Sequence, residues 1–174
     1  MDISILDFMQ TYFRNDLFDA VMPWITRLGD YGILWIFCAF VLLVIPKTRR
    51  VGGILAVSLA LEALLCNVIL KPLVARTRPY EVNTMIELLI ARPLDYSFPS
   101  GHTAAAFASA SALYFGRNRL WIPALILAVL LAFSRMYLYV HYPSDVLAGA
   151  LIGIAAGWAG SVLLRNFENG KMKK

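Results

Sequence analysis

The sequence Ser134-Arg-Met-Tyr-Leu-Tyr-Val-His-Tyr-Pro-Ser-Asp145 places charged and titratable groups inside a chain that is otherwise apolar. It holds Arg135, His141 and Asp145 within twelve residues. The proline at position 143 predicts the end of a loop and the start of a helix. Asp145, four residues after His141, can accept a hydrogen bond from one ring nitrogen and fix the tautomer. The stretch therefore predicts a reactive histidine in a loop between two helices.

Long uncharged runs lie on both sides of this stretch. The chain of 174 residues is 60% hydrophobic and 16% charged, whereas soluble domains are about half apolar and about a quarter charged. A membrane-spanning helix needs about 20 residues, so the short run from Leu120 is expected to continue through Arg135 toward Tyr139. The first run must borrow residues before Tyr31 or lie in a locally thinned bilayer. We predict an all-α membrane bundle with about five transmembrane helices, over the runs 31–46, 51–70, 96–116, 120–134 and 146–164.

Residues 1–30 precede the first run and predict two short amphipathic helices. They are not typical of a cleavable signal, because they carry Asp2 and Asp7 and lack a basic start. Two arrangements fit this pattern equally well. The helices lie in the membrane interface, with Tyr12 and Trp24 at headgroup level, or they pack on the bundle.

A second polar stretch, Lys71-Pro-Leu-Val-Ala-Arg-Thr-Arg-Pro79, supplies further cations. The chain has two histidines, and the other one, His102, follows Pro99-Ser-Gly. Two histidines, a carboxylate and several fixed cations suit a phosphoryl group, whose transfer depends on positioning and charge neutralisation. No Cys/His cluster has the spacing of metal ligands, so we expect no metal and no cofactor.

The order and spacing of these polar groups resemble the three-part motif of the type-2 phosphatidic acid phosphatase superfamily. The resemblance implies one membrane-embedded phosphatase domain over 1–174, a metal-independent reaction and a phosphohistidine intermediate. The matching residues are Lys71 with six residues before Arg78-Pro79, then Pro99-Ser100-Gly101-His102, then Ser134-Arg135 with five residues before His141 and three more before Asp145.

The resemblance assigns a role to each motif residue. His141 is the expected nucleophile, Asp145 activates it, and His102 is the general acid that protonates the leaving group. The residues expected to bind the phosphate are Lys71, Arg78, Ser100, Gly101 and Arg135. Arg76 falls outside the fixed positions and is interpreted as a headgroup contact or surface charge. For Glu62, a structural hydrogen bond to the third span is favoured over a catalytic role.

Two other patterns predict how the spans pack. Small residues recur every four positions at Ala104, Ala108 and Ala112, and the last span repeats glycine in the same way from Gly149 to Gly157. Such spacing lets membrane helices approach closely, which would bring His102 near His141. Between the first two motifs, residues 84–91 predict a short interfacial helix that either roofs the site or serves as a spacer.

The distribution of basic residues predicts the orientation. The turns at 46–50 and 117–119 and the tail from Arg165 hold nine of the sixteen Lys and Arg residues. The other side holds seven Lys and Arg residues, of which three belong to the expected site. Four basic residues on that side therefore remain to be compared with the nine when the orientation is assigned. The positive-inside rule therefore places the basic tail 166–174 in the cytoplasm. The site loops, 71–102 and 134–145, then face the periplasm or exterior of a bacterial inner membrane.

The expected function is hydrolysis of a phosphorylated lipid. Undecaprenyl pyrophosphate, phosphatidylglycerol phosphate, phosphatidic acid and lipid A 1-phosphate all fit the family. A phosphotransferase that uses the same intermediate, and a non-catalytic lipid-binding or transport protein, are the alternatives. We expect the bilayer and a lipid substrate as partners and no nucleic acid, while the oligomeric state stays open.

Overall fold

The computed structural model describes residues 2–171, whose regular secondary structure consists of helices with no strand in that range. The last three residues of the predicted basic tail lie outside it. A short 3₁₀ turn, Asp30–Gly32, precedes α3, and a π-helical segment, Leu64–Leu70, follows α4. The helices are α1 (Asp2–Tyr12), α2 (Asp16–Arg27), α3 (Ile33–Val44), α4 (Arg49–Ala63), α5 (Lys71–Val74), α6 (Pro79–Val82), α7 (Gly101–Phe115), α8 (Trp121–Tyr137) and α9 (Pro143–Lys171).

Helix α7 forms the centre of the bundle. It is built mainly of alanine and serine, and ten of its fifteen residues are buried, so no broad face of it is left for lipid. Helices α4, α8 and α9 pack around it. Small side chains permit this arrangement because they let three neighbouring backbones approach one helix.

The close packing predicted between the third and fifth spans is confirmed for α7 and α9. A Cβ atom at Gly153 would lie 2.4 Å from the carbonyl oxygen of Ala104, and one at Gly149 would lie 2.6 Å from that of Ser100. The backbones are therefore in direct contact, at a distance that only glycine allows. The amide of Ser100 also donates a 3.1 Å hydrogen bond to the carbonyl of Asp145, which joins the N-terminal ends of the two helices.

Within residues 2–171, three helical stretches are long and apolar enough to cross a membrane: Asp16–Val44, Arg49–Val82 and Pro143–Gly170. The first run does borrow residues from before Tyr31, and α8 does continue through Arg135 as far as Tyr137. Helix α8 is a shorter apolar helix, and α7 is short as well. The chain is an integral membrane protein, and the part of it that the structure describes has three candidate spans by length, compared with the five predicted.

Helices α1 and α2 pack on the segment that carries His141. Leu6 and Met9 of α1 are buried in a cluster with Tyr137 and Tyr139. The hydroxyl of Tyr139 donates a 2.5 Å hydrogen bond to Asp7, and the side chain of Gln10 donates a 2.7 Å bond to the carbonyl of Tyr137. The packing alternative therefore holds for one face of α1, while its other face remains exposed.

The prediction of a helix over 84–91 is wrong, because this segment consists of turns and irregular chain. Its apolar side chains Ile86, Leu88 and Leu89 pack against the cluster that contains Tyr80 and Tyr137. These tertiary contacts outweigh the weak helical preference of a short segment.

The two basic turns and the C-terminal end of α9 lie at one end of the bundle. Arg50, next to the first turn, forms a 2.9 Å ion pair with Glu168 of α9. At the second turn, a Cβ atom at Gly116 would lie 3.1 Å from the side chain of Val51. The N-terminal ends of α7 and α9, which carry the motif residues, lie at the opposite end.

Candidate active site

A cavity of about 790 Å³ opens at the motif end of the bundle. Acidic residues that the motif does not include, among them Asp30 and Asp95, also line it. Ser100 and Asp145 are fully buried behind its wall. The structure thus brings six of the eight predicted site residues to one wall: Lys71, Arg78, Gly101, His102, Arg135 and His141.

His141 lies in a tight turn between α8 and α9. The turn includes Tyr139, whose φ of +58° is in the left-handed region. Such a conformation costs a non-glycine residue about 1–3 kcal/mol and persists only where the surroundings hold it. Here the buried Tyr139 ring and its bond to Asp7 hold it, and the amide of His141 donates to the carbonyl of Arg135 at 3.3 Å.

The imidazole of His141 is 1% exposed and lies among cations. Its Nε2 atom is 3.3 Å from Nη1 of Arg78. Burial, followed by the positive charges of Arg135, Arg78 and Lys71, lowers the pKa of His141 well below its usual value. The ring is therefore neutral at pH 7, as a nitrogen nucleophile must be.

The predicted hydrogen bond between His141 and Asp145 is not formed. Nδ1 of His141 lies 3.6 Å from Oδ2 of Asp145, beyond the usual hydrogen-bond distance, and has no partner within residues 2–171. The carboxylate is already occupied by closer donors: it accepts 2.5 Å bonds from Ser97 and Arg76 and a 3.0 Å bond from the amide of Tyr142. Asp145 faces the ring as a charge and is locked in place by other groups.

Arg76, interpreted from sequence as a surface charge or headgroup contact, instead holds this carboxylate. In addition to Asp145, its guanidinium donates to Ser144 at 2.7 Å and to Asp2 of α1 at 2.8 Å. It also stacks over the ring of Tyr142 at 3.9 Å from the centroid. Nothing in its spacing from the motif residues points to these contacts, because its partners are distant in sequence.

Lys71 and Arg78 share one carboxylate that the sequence analysis did not identify, that of Asp95. Arg78 donates to Oδ1 of Asp95 at 2.6 Å and to its backbone carbonyl at 2.7 Å, while Lys71 binds Oδ2. Burial opposes ionisation of Asp95, but the bond to Lys71 and the charges of both cations lower its pKa to about 2. The carboxylate of Asp95 is therefore ionised throughout the physiological pH range.

Arg135, in the last turn of α8, is 3% exposed. Its Nη1 donates a 2.6 Å hydrogen bond to Thr26 of α2, while its Nε has no partner in the described part of the chain. A buried donor without a partner is costly unless a ligand satisfies it. Arg135 thus has a free donor at the cavity that suits an anion.

His102 lies in the first turn of α7 and lines the cavity. It pairs with an acid that the motif does not include. Its Nε2 lies 2.9 Å from Oδ1 of Asp30, in the 3₁₀ turn before α3. Asp30 looks like an ordinary acid at the start of a hydrophobic run, so the sequence alone carried no signal for this pairing.

Of the two predicted neutral phosphate donors, only one reaches the cavity. Gly101 lines it, and a Cβ atom there would lie 3.3 Å from the side-chain oxygen of Asn67 and 3.9 Å from Nζ of Lys71. The hydroxyl of Ser100 instead accepts a 3.0 Å bond from Thr103. Ser100 is therefore the N-cap residue at which α7 meets α9, and it does not line the cavity.

Glu62 is buried in the wall of the same cavity. Its Oε1 has no hydrogen-bond partner within residues 2–171, so the bond to the third span that the sequence favours is not formed at this atom. Between Glu62 and Lys71 the chain is π-helical, which shifts the register of the following residues; π-helical turns occur often at functional sites.

Lys71, Arg78 and Arg135 bring the positive charge of the motif to the cavity, and Arg27 and Arg92 line it as well. No three of the His, Cys, Asp and Glu side chains in residues 2–171 are grouped as metal ligands. Two imidazoles that face the same cavity provide a neutral nitrogen and a second group able to carry a proton. This arrangement can hold a phosphoryl group and exchange protons with it.

Comparison with known proteins agrees with this chemistry. A family model described as the PAP2 superfamily matches residues 51–168. An undecaprenyl-diphosphatase of Sulfolobus acidocaldarius is 34% identical over 150 residues, which cover 84% of this chain and 71% of that protein.

Two solved structures share the fold. The crystal structure of Aquifex aeolicus LpxE gives a TM-score of 0.76 at 29% identity and covers 91% of this chain and 93% of that one. The crystal structure of a PAP2-type phosphatidylglycerolphosphate phosphatase from Bacillus subtilis gives a TM-score of 0.75 at 27% identity, with coverage of 97% and 85%.

Proposed function

This chain belongs to the PAP2 superfamily and is a lipid phosphatase, and from that premise we propose that it releases phosphate from a lipid through a phosphohistidine intermediate. The observation that carries the proposal is the cavity in which a buried neutral His141 lies beside Arg78, with His102, Lys71 and Arg135 on the same wall. Positioning and charge neutralisation are what phosphoryl transfer requires of a protein.

In the first step, Nε2 of His141 attacks phosphorus while the bond from phosphorus to the leaving oxygen breaks. Nδ1 carries the ring proton and faces the carboxylate of Asp145 at 3.6 Å, so positive charge that develops on the ring is stabilised. His102 gives its proton to the leaving oxygen. Lys71, Arg78 and Arg135 hold the nonbridging oxygens. At Lys71 and Arg78 these oxygens share the cations with the carboxylate of Asp95 or displace it.

In the second step, water attacks the phosphorus of the phosphohistidine. His102, now neutral, takes a proton from that water, and the bond between phosphorus and Nε2 breaks. Inorganic phosphate leaves, and both histidines return to their starting states. If an acceptor lipid replaced the water, the same residues would perform a phosphotransfer.

We infer a polyprenyl diphosphate as the first candidate substrate, supported by the undecaprenyl-diphosphatase relative. Phosphatidylglycerol phosphate is the second, supported by the likeness to the Bacillus subtilis phosphatase. These two substrates differ in the leaving group. A polyprenyl diphosphate releases a polyprenyl monophosphate, whereas phosphatidylglycerol phosphate releases the alkoxide of phosphatidylglycerol. A diphosphate therefore depends less on proton donation by His102.

We expect purified protein in detergent micelles to release inorganic phosphate fastest from undecaprenyl diphosphate. The assay compares it at equal mole fraction with phosphatidylglycerol phosphate, phosphatidic acid and lipid A 1-phosphate, and mass spectrometry follows any phosphorylated acceptor lipid. Faster release from one of the other lipids would replace the first candidate. Phosphate that appears on a lipid and not in solution would identify a phosphotransferase.

We propose five transmembrane helices in a bacterial inner membrane, with the motif end in the periplasm and the C-terminus in the cytoplasm. The arrangement is supported by the basic turns and the end of α9, which share one end of the bundle, and by the positive-inside rule.

Labelling of single cysteines in intact cells tests this orientation. Met85 is 89% exposed at the motif end, and the position of Cβ at Gly170 is open, so Met85→Cys and Gly170→Cys disturb little. An impermeant maleimide should label position 85 and leave position 170 unlabelled until the cells are broken. The parent protein, with Cys38 and Cys66, gives the background. The reverse pattern would invert the topology.

A further inference from the structure

Residues 26–30 form the end of α2 and the start of the turn before α3. They contribute two side chains to the candidate site, although they lie outside the range 51–168 that the family model matches. Thr26 accepts the 2.6 Å hydrogen bond from Arg135. Asp30 lies 2.9 Å from Nε2 of His102. One short segment outside the motifs therefore contacts both a cation and a histidine of the site.

Gly29 makes a second, independent contact with the same imidazole. A Cβ atom at this position would lie 2.7 Å from Cδ2 of His102 and 3.1 Å from the side chain of Leu131. The edge of the His102 ring therefore packs directly on the backbone of Gly29, where the side chain of any larger residue would clash with the ring. Its orientation is set on one side by this contact and on another by the bond to Asp30.

The charges around His102 show what the carboxylate adds. Two cations act on it, Arg135 from α8 and Lys71 from α5, and His141 is the other titratable group nearby. Burial disfavours an imidazolium at His102 most strongly, and both cations disfavour it further, because like charges repel. Asp30 is the acid whose hydrogen bond and charge favour the protonated ring.

We propose that Asp30 is a positioning residue for the general acid: together with Gly29 it orients the imidazole of His102, and its carboxylate stabilises the imidazolium beside two cations. The inference rests on the proposed function, in which His102 gives a proton to the leaving oxygen and regains one from the attacking water. Asp30 acts only through His102 and does not touch the reacting atoms.

The substitution Asp30→Asn tests this role, since asparagine keeps the size of the side chain and removes its charge. For a lipid monophosphate, whose alkoxide leaving group needs a proton, the rate of phosphoenzyme formation should fall by about 10- to 100-fold, within what general-acid assistance supplies. For an aryl phosphate, which leaves without protonation, the loss in this first step should stay below about threefold. The alkaline limb of the pH–rate profile for the monophosphate should move to lower pH.

Three further variants complete the experiment. Asp16→Asn removes an exposed acid from the first turn of α2 and should match the parent protein. Asp30→Glu should recover part of the rate, and Gly29→Ala, which pushes against the ring, should show the same dependence on the leaving group as Asp30→Asn. If Asp30→Asn does not fold, the comparison of leaving groups is made with Asp30→Glu and Gly29→Ala.

Equal losses on both substrates, or an unchanged alkaline limb, would overturn the inference, because a merely structural role predicts both. The two failures are distinguishable. A parent protein that releases phosphate from no lipid contradicts the proposed function itself. An active parent whose Asp30 and Gly29 variants behave like Asp16→Asn contradicts only the role of Asp30.

Discussion

Replacement of His141 by alanine is expected to abolish phosphate release from every substrate and to leave no phosphoenzyme. His141 is the only group at the cavity wall in residues 2–171 that combines a neutral ring nitrogen with a position beside the Arg78 guanidinium. Removal of a nucleophile is not compensated by the rest of a site, and losses of about 10⁴-fold or more are usual. Steady-state phosphate release and trapping with ³²P-labelled substrate measure the two effects.

The His141→Ala protein must first be shown to fold, because His141 is buried and contacts Arg78. Size-exclusion chromatography and thermal unfolding in detergent show whether the bundle is intact. The quench must be alkaline, because the bond between phosphorus and an imidazole nitrogen is labile in acid. A folded His141→Ala protein that still accumulates phosphoenzyme would contradict the assignment of the nucleophile.

Replacement of His102 by alanine is expected to produce a loss that depends on the leaving group. General-acid catalysis contributes about 10²- to 10⁴-fold, so turnover of a lipid monophosphate should fall by that factor. A diphosphate or an aryl phosphate should lose much less in the first step. Because His102 also assists the attack of water, the phosphoenzyme should hydrolyse slowly and accumulate.

The two histidine variants check each other. Rapid mixing with labelled diphosphate, followed by an alkaline quench, should show phosphoenzyme in His102→Ala and none in His141→Ala. The opposite result would mean that the two roles are exchanged. Asp30→Asn should follow the pattern of His102→Ala at a smaller amplitude, because it removes the partner of the acid and keeps the acid.

The features predicted from sequence were those encoded by local spacing. Long uncharged runs require helices, because backbone polar groups in a bilayer must bond within their own segment. Alanine and glycine at intervals of four residues place small side chains on one face of a helix, and α7 and α9 pack on those faces. The motif residues share a cavity because they lie at the same ends of these helices.

The errors concern segments without a strong period. Residues 84–91 are apolar enough for a helix, yet their side chains meet a cluster of tyrosines from α6 and α8, and that contact depends on the whole bundle. Likewise Asp145 lies four residues after His141, which predicted a hydrogen bond between the two. Its carboxylate instead accepts a hydrogen bond from Arg76, which is 69 residues away in sequence.

By itself the sequence determined that this protein is a helical membrane protein, since that follows from its composition and its long uncharged runs. The phosphatase activity and the eight residues to examine came from the resemblance of its three motifs to a known family. Only the tertiary structure decided which acids serve the site. Asp30 reaches His102 across 72 residues, and Asp95 bridges Lys71 and Arg78. Such pairings depend on the rotation and depth of one helix relative to another, and no pattern within one segment specifies them.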